Sequence, residues 1–143
     1  MYKKLFVVAC FMGLVGCGSG TESSAPAEGA TVENTPAEPP IETTADALLK
    51  AYKDNEISAN NQFKGKNILV SASIESIQAD FSDKPFLTLK AGDQFEFNQP
   101  QAHFAESDEA KAGDLKKGQK VTLLCVGDSE MAGTPMLKDC VLQ

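Results

Sequence analysis

The chain has 143 residues, 20 of them acidic and 13 basic, for a net charge of −7, and every basic residue is a lysine. That length has room for one domain of ordinary size. Without arginine the chain lacks the planar fork that reads guanine edges and phosphates bidentately, and an acidic surface repels a polyanion, so composition alone disfavours nucleic acid as a partner.

Lys3 and Lys4 precede an apolar run of 11 residues, Leu5 to Val15. At 1.5 Å per residue this spans about 16 Å, roughly half of a ~30 Å hydrocarbon core, which suits a cleaved leader and not a permanent span. The run ends in residues 14–17 (LVGC), which resemble the processing signal of bacterial lipoproteins: a branched apolar residue and two small ones before a cysteine. The resemblance implies a thioether between the Cys17 sulfur and diacylglycerol, cleavage before Cys17, fatty acylation of the new amine, and attachment to a membrane through that residue. Two or more acyl chains make such an anchor stable, at ~0.8 kcal/mol per buried methylene. Residue 18 is glycine and not the aspartate of the inner-membrane retention signal, so the expected address is the cell envelope, at the outer membrane facing the periplasm in a Gram-negative host. Two lysines precede Cys17 and all the acids follow it, so removing the leader takes the net charge from −7 to −9.

Residues 18–42 are Gly, Ser, Thr, Ala, Pro and Glu almost throughout, with four of the seven prolines and five glutamates. Such a stretch cannot bury enough apolar surface to offset the entropy of ordering, which predicts a disordered tether. It would reach about 80 Å extended, with a root-mean-square span of roughly 25–30 Å. The organisation is therefore a leader over 1–16, a lipidated cysteine and tether over 17–43, and a domain over 44–143.

Within the domain, Ala45, Leu48, Leu49 and Tyr52 recur at helical spacing and the stripe continues through Glu56, Ala59 and Phe63, which predicts one helix over about 44–60 capped by Thr43 or Thr44. Glu56 is placed at the edge of the stripe. From residue 68 the period changes to two, and Ile77 breaks the alternation, predicting a long first strand with a bulge near Glu75 and Ser76. Further strands are predicted at 85–90, 95–98 (FEFN), 120–126 and 136–142, with a helical turn within 107–115. The content is mainly β with an N-terminal helix, and five strands interrupted between the third and fourth follow the order of a five-stranded OB-fold barrel.

Ala51-Tyr52, Asn55-Glu56, Ala59, Phe63-Lys64-Gly65-Lys66, the segment Leu115 to Val121 (LKKGQKV) and Leu137 to Val141 (LKDCV) together resemble the tRNA-anti-like family of small OB-fold proteins, over about residues 44–143. The resemblance implies a barrel named for its likeness to anticodon-binding domains, and no particular activity.

Cys10 leaves with the leader. With Cys17 committed to lipid, Cys125 and Cys140 remain as a pair in an oxidising compartment. A hairpin turning near Ala132-Gly133 places opposite each other residues whose numbers sum to about 265, as 125 and 140 do, so a cross-strand disulfide is expected. His103, the only histidine, is followed by Glu106, Asp108 and Glu109 without soft ligands, which reads as a charged, solvated loop and not a metal site. No nucleophile elbow, phosphate loop or paired-carboxylate motif is present, so neither catalysis nor a cofactor is expected. Phe86, Phe95 and Phe97, with Lys84 and Lys90, form the possible ligand face. Phe86 and the Phe95/Phe97 pair are expected to fill or flank the core in a domain without tryptophan. The expected partners are a membrane through Cys17 and an envelope protein, glycan or small molecule bound by the barrel. Single-stranded nucleic acid, with phenylalanines including Phe81 as stacking platforms, is the alternative.

Overall fold

The computed structural model describes residues 38–143. The leader, Cys17 and most of the anticipated tether lie outside the described residues.

A short strand, β1 (Ile41–Thr44), opens the domain, inside the stretch whose composition reads as tether. It runs parallel to the start of β2 (Asn67–Ala79), with Ile41 opposite Ile68 and Thr44 opposite Ser71. The helical stripe forms two helices, α1 (Ala45–Asp54) and α2 (Glu56–Phe63), and not one. The break is at Asn55, whose extended backbone ends α1 and whose Oδ1 accepts the Ser58 N–H at 3.0 Å. Asparagine competes with helical bonding in this way wherever its short amide can cap a new turn. Thr44 caps α1, its Oγ1 accepting the Ala47 N–H at 3.2 Å. Ala45, Leu48, Leu49 and Tyr52 of α1 and Ala59 and Phe63 of α2 are buried, while Glu56 is exposed in the first turn of α2.

Strands β2, β3 (Pro85–Leu89), β4 (Gln101–Phe104), β5 (Lys120–Met131) and β6 (Thr134–Leu142) close a barrel in the order β2-β3-β4-β6-β5, with β5 returning to β2. β4 and β6 are parallel and the other barrel pairs antiparallel. This is the OB-fold order. Within the barrel β2 serves two neighbours besides β1: residues 67–73 pair with β5 and residues 74–79 with β3, and the register shifts between Ile74 and Ser76, at the expected bulge. A 3-10 helix, Glu109–Asp114, occupies the interruption between β4 and β5.

The predicted third strand is corrected. Residues 95–98 form no strand; β4 is the later segment 101–104. Asp93 accepts the Phe95 and Glu96 N–H groups and Glu96 accepts the Asn98 N–H, so amides that a ladder would need are used in successive turns. Phe95 and Phe97 point to solvent, 70% and 90% exposed, and do not fill or flank the core. β5 and β6 also run further than expected, to a two-residue turn at Ala132-Gly133 with both φ angles positive. Gly127 lies within β5: a Cβ there would strike the backbone carbonyl of Phe63, and its amide and carbonyl bond to Lys66 and Gly65.

The interior is filled by Ile68, Val70, Ile74, Leu87, Leu89, Leu123 and Leu137, all 1% exposed or less, with Leu48 and Leu49 of α1 packed onto the same cluster. No helix among the described residues is long and apolar enough to cross a membrane.

Candidate functional site

Cys125 and Cys140 are joined by a disulfide in the buried seam between β5 and β6, their Cα atoms 4.1 Å apart. The register that brings them together is not uniform. Met131 pairs with Thr134 and Leu124 with Val141, both summing to 265, but Val126 pairs with Lys138 and Gly127 with Leu137, which sum to 264. One extra residue in β5, at Asp128-Ser129, and one in β6, at Asp139 with φ 51°, offset each other.

On the outside of the barrel, β3 and β4 present Phe86 stacked on His103, ring centroids 4.9 Å apart and planes at 17°. Phe86 is only 9% exposed, yet it lies outside the interior cluster, because alternation along β3 sends Leu87 and Leu89 inward and Phe86 outward. His103 is therefore a half-buried strand residue, not part of a solvated charged loop. Beside the stack Lys84 is within 3.3 Å of Glu109 and 3.5 Å of Glu106, and those carboxylates, Glu109 foremost, hold its ammonium above the ordinary lysine range. Asp80 closes the β2–β3 turn by accepting the Ser82 and Lys84 amides, which hold its carboxyl below the usual range. Behind this face Asp108, 5% exposed, takes Lys111 at 2.9 Å and the Leu142 N–H at 2.9 Å, and both lower its pKa, the Lys111 contact more. The β3–β4 surface is thus closed by its own side chains.

The opposite side differs. A cleft of about 930 Å³ opens where β1 passes into α1, over the Ser71–Ser73 segment of β2. Its floor is Ser71 and Ser73 with Thr122 of β5, the Ser71 and Thr122 hydroxyls 3.3 Å apart. Lys90 and Lys120 stand on its walls. Of the expected ligand-face residues, then, Phe86 and Lys84 come together on one face, Lys90 lies at the cleft, and Phe95 and Phe97 project from the loop between β3 and β4. Lys120 and Lys90 belong to the lysines that the sequence offers as a local basic face, whereas Ser71, Ser73 and Thr122 were not singled out. Their signal was the polar half of the alternation in β2 and β5. Among the described residues no three His, Cys, Asp or Glu side chains form a metal-ligating group.

No curated protein sequence matches this one. Among solved structures, the chain is similar to a candidate nucleic acid-binding lipoprotein from Klebsiella pneumoniae, with a TM-score of 0.56 at 16% identity, over 71% of this chain and 92% of that one. At that identity the likeness speaks to the fold, and it agrees with the closed barrel described above. The model of the tRNA_anti-like family matches residues 1–141, nearly the whole sequence, and the chain belongs to that family.

Proposed function

We propose that this protein is a lipoprotein of the bacterial envelope, anchored through Cys17, whose OB-fold domain is a non-catalytic binding module on a tether. The observation that carries the binding reading is the filled barrel. With Ile68, Leu87, Leu123 and Leu137 essentially inaccessible, no substrate enters the interior, and only the outer faces and loops can meet a ligand. The anchoring reading rests on residues 14–17 and on the apolar run before them. An OB-fold supports many functions, so the ligand must be read from the surface and not from the family. An envelope protein, a glycan or a small molecule fits an acidic domain facing the periplasm.

The test of the anchor is fractionation with labelled fatty acid. The wild-type chain takes up label and sediments with outer membranes, and Cys17→Ala does neither; a Cys17→Ala product still in the membrane fraction, with no label in the wild type, overturns the reading. Crosslinking in intact cells then identifies the partner.

The second reading is single-stranded nucleic acid, favoured by the exposed phenylalanines Phe81, Phe95 and Phe97 and by what the Klebsiella relative is described as binding. Against it, Lys84 is committed to two carboxylates and Phe86 is covered by His103 on the β3–β4 face that OB-folds use for oligonucleotides. Retention on single-stranded DNA at low salt, falling steeply as salt rises, would decide for it.

A further inference from the structure

The lysines of this domain are not distributed evenly between paired and unpaired. Of the 11 among the described residues, seven contact a carboxylate, leaving Lys64, Lys90, Lys116 and Lys120. Two of those four line the one cleft described above. In a chain with seven more acids than bases, leaving two cations unpaired at a single concave site is the opposite of what surface screening alone produces.

Their placement follows from the ladders. Lys120 is directly opposite Ser73 in the β2–β5 register, so both side chains leave the same face. On the other side of Ser73, the Lys90 N–H donates to the Ser73 carbonyl at 2.8 Å. Ser73 therefore stands between the two lysines. Two carboxylates stand near: Asp46, which also lines the cleft, accepts the Gly92 N–H at 2.8 Å through one oxygen and keeps its charge, and Glu75, two residues along the strand, holds Lys117 at 2.6 Å and feels Lys90 more weakly. Ser71 and Ser73 lie about 6.7 Å apart along β2, and across the strands the Ser71 and Thr122 hydroxyls are 3.3 Å apart, close enough to bond each other. Each of these hydroxyls is both donor and acceptor, as the hydroxyls of a sugar are, so the floor can exchange hydrogen bonds with one in either sense. No aromatic side chain lines the cleft, so a nucleobase would find nothing to stack on there. The volume of about 930 Å³ falls within the range of small-molecule sites.

We infer that the cleft binds an anionic sugar, its carboxylate received between Lys90 and Lys120 over Ser73 and its hydroxyls by Ser71 and Thr122. This rests on the reading of the domain as a binding module and names the ligand class and the face. It places the site on the β2–β5 side of the barrel, away from the β3–β4 surface.

The test is equilibrium dialysis of the full lipidated protein in detergent against radiolabelled glucuronate. Saturable binding is expected, weakening as salt rises. Lys90→Gln and Lys120→Gln should each weaken it at least about tenfold. Lys84→Gln, on the other face, should leave it unchanged, and all three variants should melt with the wild type. Unlabelled glucose should compete poorly because it lacks the anion, and inorganic phosphate poorly because it cannot span the hydroxyl floor. Absence of saturable binding, equal competition by glucose or by phosphate, or full binding by the Lys90→Gln/Lys120→Gln double variant overturns the assignment. If dialysis shows no saturable binding while a partner crosslinks in cells through another face, the binding-module reading stands and this one falls.

Discussion

The two outer faces of the barrel are built from the same kind of strand and end in opposite states. On β3 and β4, Phe86 lies against His103, and Lys84 is held by Glu106 and Glu109. On β2 and β5, small hydroxyl residues face outward, and Lys120 of β5 and Lys90, just past the end of β3, form no salt bridge among the described residues. The difference lies in side-chain size and charge pairing. Bulk and opposite charge within one face consume its capacity to bind, whereas serine and threonine between unpaired cations leave that capacity for something else.

The largest expected effect comes from the covalent support beneath the closed face. Cys140 lies opposite Phe104 of β4, so the disulfide fixes β6 under that surface. Cys125→Ala with Cys140→Ala should lower unfolding free energy by about 3 kcal/mol in urea titrations, as loss of a cross-link over a loop of about 15 residues requires. Next, Phe86→Ala should cost about 2 kcal/mol by the same measurement, since a nearly covered aromatic side chain is removed along with its stack. An effect near zero would mean that the face is open and would erase the contrast.

A third effect follows pH. Asp80 and Asp108 have carboxyls held below the ordinary range in the folded protein, Asp80 chiefly by the Ser82 amide and Asp108 chiefly by Lys111. Their stabilisation is therefore complete above about pH 4, the unfolded value, and is lost as pH falls through the folded values. Melting temperature should drop between about pH 4 and pH 2, and Asp108→Asn should show a shallower drop. The smallest effect belongs to the cleft floor. Ser71→Ala and Thr122→Ala should change stability by no more than about 0.5 kcal/mol while weakening glucuronate binding. A large loss of stability there would mean that those hydroxyls are structural.

Much of this arrangement could be read from the sequence, and the failures have physical causes. Strand β2 and its bulge were legible because Ile68, Val70 and Ile74 alternate strictly and Ile77 then falls out of phase. Residues 95–98 show the same alternation, yet it misleads. There the inward side chain is Glu96, which engages Lys53 and the Asn98 amide, and the phenylalanines face water. Alternation reports which residues share a side, not which side is buried. β4 was missed because four residues containing a histidine carry little pattern, and β1 because Ile41 stands alone in a tract of prolines and glutamates. The pairing of Cys125 with Cys140 was legible from the turn alone, because two irregularities cancel between the turn and the bridge. The cleft was not legible, since its lysines come from segments 30 residues apart and meet only when β2 is flanked on both sides.

Those cancelling irregularities set a rule for how the hairpin can change length. Along β6, Pro135 and Leu137 are inward at odd numbers and Cys140 at an even one, with Asp139 absorbing the change of phase. Deleting Asp139 alone would force one end of the strand to exchange its inner and outer residues. Deleting it together with Ser129 would leave both ends in phase, so the hairpin should tolerate shortening in matched pairs and reject single losses.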